Sequence, residues 1–109
     1  MIRTYLEFDL AAGRASDFVA FFNREAILET SRAQEGCHSA ELTISEDGTK
    51  AIVTASWADR AAYDVWTSRG DRSDQRVQLN ELLATPIDDS TVGQVFDVAL
   101  DGTPADVGS

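Results

Sequence analysis

Residues 2 to 10 alternate in character. Ile2, Thr4, Leu6, Phe8 and Leu10 fall on one side, and Arg3, Tyr5, Glu7 and Asp9 on the other. This is the period-two pattern of a strand with one buried face. Beyond Ala11 to Gly13 the spacing lengthens. From Arg14 to Gln34, Phe18, Phe21, Phe22, Ala26 and Leu28 form an apolar stripe at helical period, which predicts one long helix. Gly36 is placed to end it as a left-handed cap. "HSAELTISEDGTKAIVTASW" then predicts two strands around Asp47-Gly48, a dipeptide favoured in type I′ hairpin turns because both central residues take positive φ. Such a turn sets Ile44 opposite Ala51, Leu42 opposite Val53, Ala40 opposite Ala55 and His38 opposite Trp57, all on one face. Asp59 is positioned to cap a short helix to about Ser68, carrying Tyr63 and Trp66 one turn apart. A further helical stretch spans about Asp74 to Ala84 and ends before Pro86. Val92 to Leu100 reads as a last strand.

The predicted order is β-α-β-β-α-α-β. A helix between the first two strands makes them run parallel, with the hairpin strand between them. The expected fold is therefore α+β: a ferredoxin-like split βαβ unit, with a four-stranded antiparallel sheet and helices on one face. The other face would carry Tyr5, Glu7 and Asp9 with Ser39, Glu41, Thr43, Ile52, Thr54 and Ser56. This mixed, uncovered surface suits the same face of a second copy, so a homodimer is expected. Residues 1–100 form the expected domain. Residues 101–109, "DGTPADVGS", have almost nothing to bury and are expected to be a flexible tail.

Length and charge narrow the function. A chain of 109 residues has room for one domain. Nine basic against nineteen acidic residues give a net charge of −10. Such a surface repels phosphate backbones and anionic lipids, so neither nucleic acid nor membrane is an expected partner. No apolar run approaches the length of a membrane span, and "MIRTYLEFDL" lacks the continuous apolar core of a signal peptide. The single cysteine, Cys37, excludes an internal disulfide and fits a cytoplasmic location. Metal-ligand spacing, a Gly-rich phosphate loop and a Gly-x-Ser-x-Gly elbow are all missing from the sequence.

"EGCHSAEL" and "SEDGTKAIVTASWADRAAYDVW", in this element order, resemble the antibiotic biosynthesis monooxygenase family of the dimeric α/β barrel superfamily. The matching positions are Gly36 after the first helix, Trp57 closing the third strand, and Ala62-Tyr63 on the helix that follows. The resemblance covers roughly residues 1 to 100. It implies a homodimer with a cavity between sheet and helices, and oxygenation of hydroxyaromatics, quinols or polyketide-type substrates by O₂ without metal or flavin. Polyketide-oxygenating relatives carry an Asn four residues before the strand-three Trp, where this chain has Val53, a side chain that cannot donate a hydrogen bond. The haem-degrading branch carries an Asn on the first strand and a later His. Residues 2 to 10 contain no Asn and no His follows His38, which argues against haem degradation.

Chemistry without a cofactor requires the substrate to supply the electron. A deprotonated hydroxyaromatic can reduce O₂ if the protein offers a proton acceptor, a flat apolar slot and shelter from water. His38 is the only histidine, the residue type suited to moving protons near neutral pH, and it has two readings: that acceptor, or a side chain bonded to a loop carbonyl. Trp57 and Tyr63 either stack and hydrogen-bond a planar substrate or fill the core. Trp66 stands nearer the rim. Phe22, Leu42 and Val53 are candidate slot walls, and Asn23 a candidate amide for a ligand. Arg72, with Arg69 and Arg76, belongs to a stretch that either gates the slot and holds an anionic substituent or is simply solvated. The expected catalytic set is His38, Trp57 and Tyr63. The expected activity is cofactor-free monooxygenation of a small aromatic substrate. A ligand-binding protein without turnover, and an isomerase or cyclase using His38, are the alternatives.

Overall fold

The computed structural model describes residues 1–68, 73–87, 93–100 and 102. The observed order is β1 (Ile2–Asp9), α1 (Ala15–Arg24), α2 (Ile27–Arg32), β2 (Cys37–Ile44), β3 (Lys50–Trp57), α3 (Arg60–Ser68), α4 (Ser73–Asn80) and β4 (Gln94–Asp97). The strands form one antiparallel sheet in the order β2-β3-β1-β4. That is the ferredoxin-like topology the pattern predicts, with β3 between the parallel-running β1 and β2.

The alternation of β1 holds: Ile2, Thr4 and Phe8 are buried, while Arg3, Tyr5 and Glu7 are exposed. Phe8 meets Phe18 and Phe22 of α1 in a cluster that includes Phe21, Ala51, Leu79 and Leu83. A second cluster gathers Ile2, Cys37, Ala55 and Trp57, with Tyr63, Trp66 and Val95 packed on it. Both lie on the helix-covered side of the sheet. On the far side Tyr5 and the half-exposed Phe96 pack edge to face at 5.5 Å.

The predicted long helix is two helices. Ala26 takes a left-handed conformation, φ 50°, after Glu25 N–H donates to the Phe21 carbonyl and Ala26 N–H to the Asn23 carbonyl. Neither glycine nor proline marks the break, so the spacing alone reads through it. The break redirects the chain, and α2 then carries Ile27, Leu28 and Ser31 toward the sheet.

The hairpin keeps its predicted register from Ile44–Ala51 to Ala40–Ala55, but its turn differs. Only Gly48 has positive φ, 73°. Gly48 N–H donates to the Ser45 carbonyl, and Ser45 N–H to that of Lys50, so the loop spans Glu46 to Thr49 rather than two residues. The Asp47 side chain accounts for it, accepting hydrogen bonds from the hydroxyls of Ser45 and Thr49 and from Thr49 N–H.

At the other end of β2 the register slips. Cys37 pairs with Trp57 and Ser39 with Ser56, leaving His38 as the extra residue of a bulge. The prediction of His38 opposite Trp57 is thereby corrected. Neighbouring backbone is fixed by outside partners: the Gly36 carbonyl accepts from Ala58 N–H at 2.7 Å, and the Cys37 carbonyl from the Arg32 guanidinium at 2.8 Å.

Asp59 caps α3 as predicted, its carboxylate accepting from Ala62 N–H at 2.9 Å. α4 stops at Asn80, earlier than the predicted Ala84. The Asn80 amide bonds both the N–H and the carbonyl of Ile87, and Leu83 bridges to Leu10. β4 is four residues long and lies within the predicted Val92–Leu100. Apart from Gly102, the expected tail lies outside the described residues, as does Val92.

Candidate active site

Between the two clusters lies a cavity of about 260 Å³. Its sheet side is low because β2 and β3 present Ala40, Val53 and Ala55 there. Small side chains leave room above the sheet that α1 and α2 do not fill. An apolar void of about 150 Å³ already holds one benzene ring, so this one suits a flat ligand of two or three fused rings.

Trp57 ends β3 and is 1% exposed. Tyr63 packs on it at 5.7 Å with the rings tilted by 59°, and Trp66 at 6.4 Å and 31°. The three aromatics thus pack against one another and also line the cavity. The Trp57 indole N–H is committed within the protein: Nε1 donates to the Thr4 hydroxyl at 3.4 Å, which donates to the Ala55 carbonyl at 3.4 Å. Trp57 therefore offers a ligand its ring rather than its N–H.

Polar groups come to the cavity chiefly from the helices. Ser31 of α2 is buried, and its hydroxyl has a sulfur neighbour, Cys37 Sγ at 3.7 Å, a soft partner. Tyr63 brings a phenol, and Gln75 and Arg76 of α4 also line the wall. Arg76 is the only charged side chain among the described lining residues. A ligand fitting this wall lays an apolar face on the sheet and turns its oxygens toward the helices.

The sequence-predicted residues divide accordingly. Trp57, Tyr63, Trp66, Phe22 and Val53 come together around the cavity. His38 is exposed at the bulge and is not part of the wall. Asn23 is exposed on α1, and its backbone carbonyl serves the helix break. Leu42 packs beside the phenylalanine cluster, outside the lining. Arg72 and Arg69 lie outside the described residues; Arg76, four positions past Arg72, lines the wall instead.

Thr4, Ser31, Ile87 and Gly93 also line the cavity, and the sequence reading missed them. Thr4 had a signal, being the polar member of an otherwise apolar inward row. Ser31 falls one turn after Ile27 and Leu28, a relation hidden by the helix break. Ile87 is held by Asn80 across a loop, which no local pattern announces. Among the described residues no three His, Cys, Asp or Glu side chains cluster as a metal site would require, and no helix is long and apolar enough to cross a membrane.

Residues 1–74, well over half of the chain, match the family model for antibiotic biosynthesis monooxygenase. The chain belongs to this family. Several solved structures similar to it are described as antibiotic biosynthesis monooxygenases. Rv0793 of Mycobacterium tuberculosis is 24% identical, with 94% of this chain and 98% of that one covered and a TM-score of 0.69. The ActVA-Orf6 monooxygenase of Streptomyces coelicolor, solved with nanaomycin D, is 22% identical over 95% and 92% of the two chains, TM-score 0.73. SnoaB of Streptomyces nogalater, a cofactor-independent oxygenase, is 16% identical over 92% and 94%, TM-score 0.69. These likenesses establish the fold. No curated protein matches the sequence.

Proposed function

We propose that this protein oxygenates a small hydroxyaromatic, quinol or polyketide-type substrate with O₂ and without a cofactor. The observation that carries the reading is the cavity, with the Trp57–Tyr63–Trp66 group on one side, small sheet residues below, and Arg76 as its charged lining residue. Membership of the family, and relatives described as a monooxygenase with nanaomycin D and a cofactor-independent oxygenase, support it.

The chemistry is that of a substrate anion. A hydroxyanthrone loses a proton from its CH₂ group, and the Arg76 guanidinium favours the resulting anion electrostatically. No carboxylate or imidazole stands among the described lining residues, so the proton leaves to water. The anion passes one electron to O₂, and the radical pair combines to a hydroperoxide. Loss of water then leaves a carbonyl. In sum CH₂ and O₂ become C=O and H₂O, with one oxygen atom in each product. Trp57 supplies the stacking wall, Tyr63 a hydrogen bond to a substrate oxygen, and the largely apolar lining lowers the polarity around the anion.

A ligand-binding protein without turnover is the second reading, and Val53 favours it, since an apolar side chain stands where oxygenating relatives are expected to carry an amide. The isomerase or cyclase reading relied on His38 and loses its proton carrier with the bulge. Oxygen uptake by metal-free protein with dithranol, a hydroxyanthrone, tests the proposal. Saturable uptake with one quinone formed per O₂ supports it, and tight binding without uptake favours the second reading. We also assign a cytoplasmic homodimer joined through the sheet face that bears Tyr5 and Phe96.

A further inference from the structure

We infer that Gly93 is a positioning residue for the proposed site: by lacking a side chain it sets where the Tyr63 hydroxyl stands in the cavity. The inference rests on reading that cavity as the substrate site. Tyr63 leaves the first turn of α3, lies against Trp57, and ends over Gly93, the residue just ahead of β4. A Cβ at position 93 would lie 2.7 Å from the Tyr63 hydroxyl oxygen, 3.3 Å from the Tyr5 carbonyl oxygen and 3.8 Å from Tyr63 Cζ. The first distance is shorter than any non-bonded carbon–oxygen contact, so one group must move. Gly93 does not have a left-handed φ, and what the glycine provides is therefore space rather than backbone freedom.

The phenol is the group that yields. The Tyr5 carbonyl belongs to β1, held at that residue by β3 on one side and β4 on the other. Tyr63 is half-buried on a helix with no buried residue. A methyl group at 93 is thus read out at Tyr63 while the sheet stays in place. Both residues line the cavity, so the displaced phenol changes the ligand's surroundings. The geometry also supplies its own compensation. Removing the Tyr63 oxygen leaves Cζ as the nearest ring atom at 3.8 Å, an ordinary van der Waals contact. Gly93→Ala should therefore be disruptive beside a tyrosine and much milder beside a phenylalanine, where only the 3.3 Å approach to the Tyr5 carbonyl remains.

The test uses the full chain, labelled with ¹³C at tyrosine Cζ. There are two tyrosines, Tyr5 and Tyr63, so each has its own signal. Lawsone, a flat anionic hydroxynaphthoquinone, is the binding probe, followed by quenching of tryptophan fluorescence. Gly93→Ala should move the Tyr63 signal and leave that of Tyr5. It should weaken lawsone binding by about fivefold or more in the wild-type background, and by less than about twofold in the Tyr63→Phe background. An equal loss in both backgrounds, or an unmoved Tyr63 signal, overturns the inference. If wild-type protein fails to bind lawsone while the Tyr63 signal still moves, the substrate reading falls and the steric coupling stands.

Discussion

Three donors converge on the Asp47 carboxylate at the hairpin tip: the hydroxyls of Thr49 and Ser45, each at 2.7 Å, and Thr49 N–H at 3.0 Å. With the Thr49 hydroxyl foremost, they lower its pKa from an ordinary 3.8 to about 2. The folded value lies below the unfolded one, so the carboxylate stabilises the fold fully above the unfolded value and progressively less as pH falls through the folded one. Thermal denaturation of wild type and Asp47→Ala should therefore differ more at pH 6 than at pH 2, with the gap closing across that window. A gap independent of pH would mean the carboxylate is not held this way. At this scale the sequence was informative wherever one face of a strand or helix decided the matter. Trp57, Val53 and Phe22 face inward because of period and register, and all three reach the cavity. His38 follows the same arithmetic and misses, because a one-residue bulge resets the alternation. The contacts that flank the bulge, from Ala58 to Gly36 and from Arg32 to Cys37, join residues that no local pattern connects.

The break between α1 and α2 is the element-scale feature on which the cavity depends, since α2 contributes Ile27, Leu28 and Ser31 to its wall. Its pivot, Ala26 at φ 50°, carries the penalty of roughly 1–2 kcal/mol that a Cβ imposes on left-handed backbone. Ala26→Gly relieves this and loses part of the gain to the larger entropy of the unfolded chain. Urea unfolding should find the variant more stable by about 0.5 kcal/mol. Were the helix continuous, the same change would cost about 1 kcal/mol, so a destabilised variant would contradict the break. The junction of α2, β2 and α3 was more legible. Gly36 is left-handed at φ 84°, and a Cβ on it would lie 2.7 Å from that of Ala62. The small residues at 36 and 62 thus let the turn before β2 touch the first turn of α3 and seat Tyr63 over the cavity. Glycine, the Asp59 cap and the hairpin register are local signals and were read from the chain. The helix break and the end of α4 at Asn80 are set by packing and by contacts across loops, and were not.

At the scale of the whole molecule, one sheet face is covered by helices and the other bears Tyr5 and Phe96, exposed and packed on each other. Beside them the Thr54 hydroxyl is buried without a hydrogen-bond partner among the described residues, a costly arrangement that a second sheet over this face would relieve. Light scattering should give twice the mass of one chain, falling to one with Tyr5→Lys and Phe96→Lys together; a wild-type monomer would contradict the assignment. Composition and strand order anticipated this two-faced architecture, whereas the identity of the substrate is written in neither. The central claim is that the cavity between sheet and helices is where a hydroxyaromatic meets O₂. Its most direct test is oxygen uptake with dithranol, comparing wild type with Ala55→Leu, which extends a side chain from the sheet into that space. Wild type should consume O₂ saturably above the uncatalysed rate, and Ala55→Leu should lose about tenfold or more while staying folded. Equal rates in the two proteins, or none above background in wild type, would contradict the account.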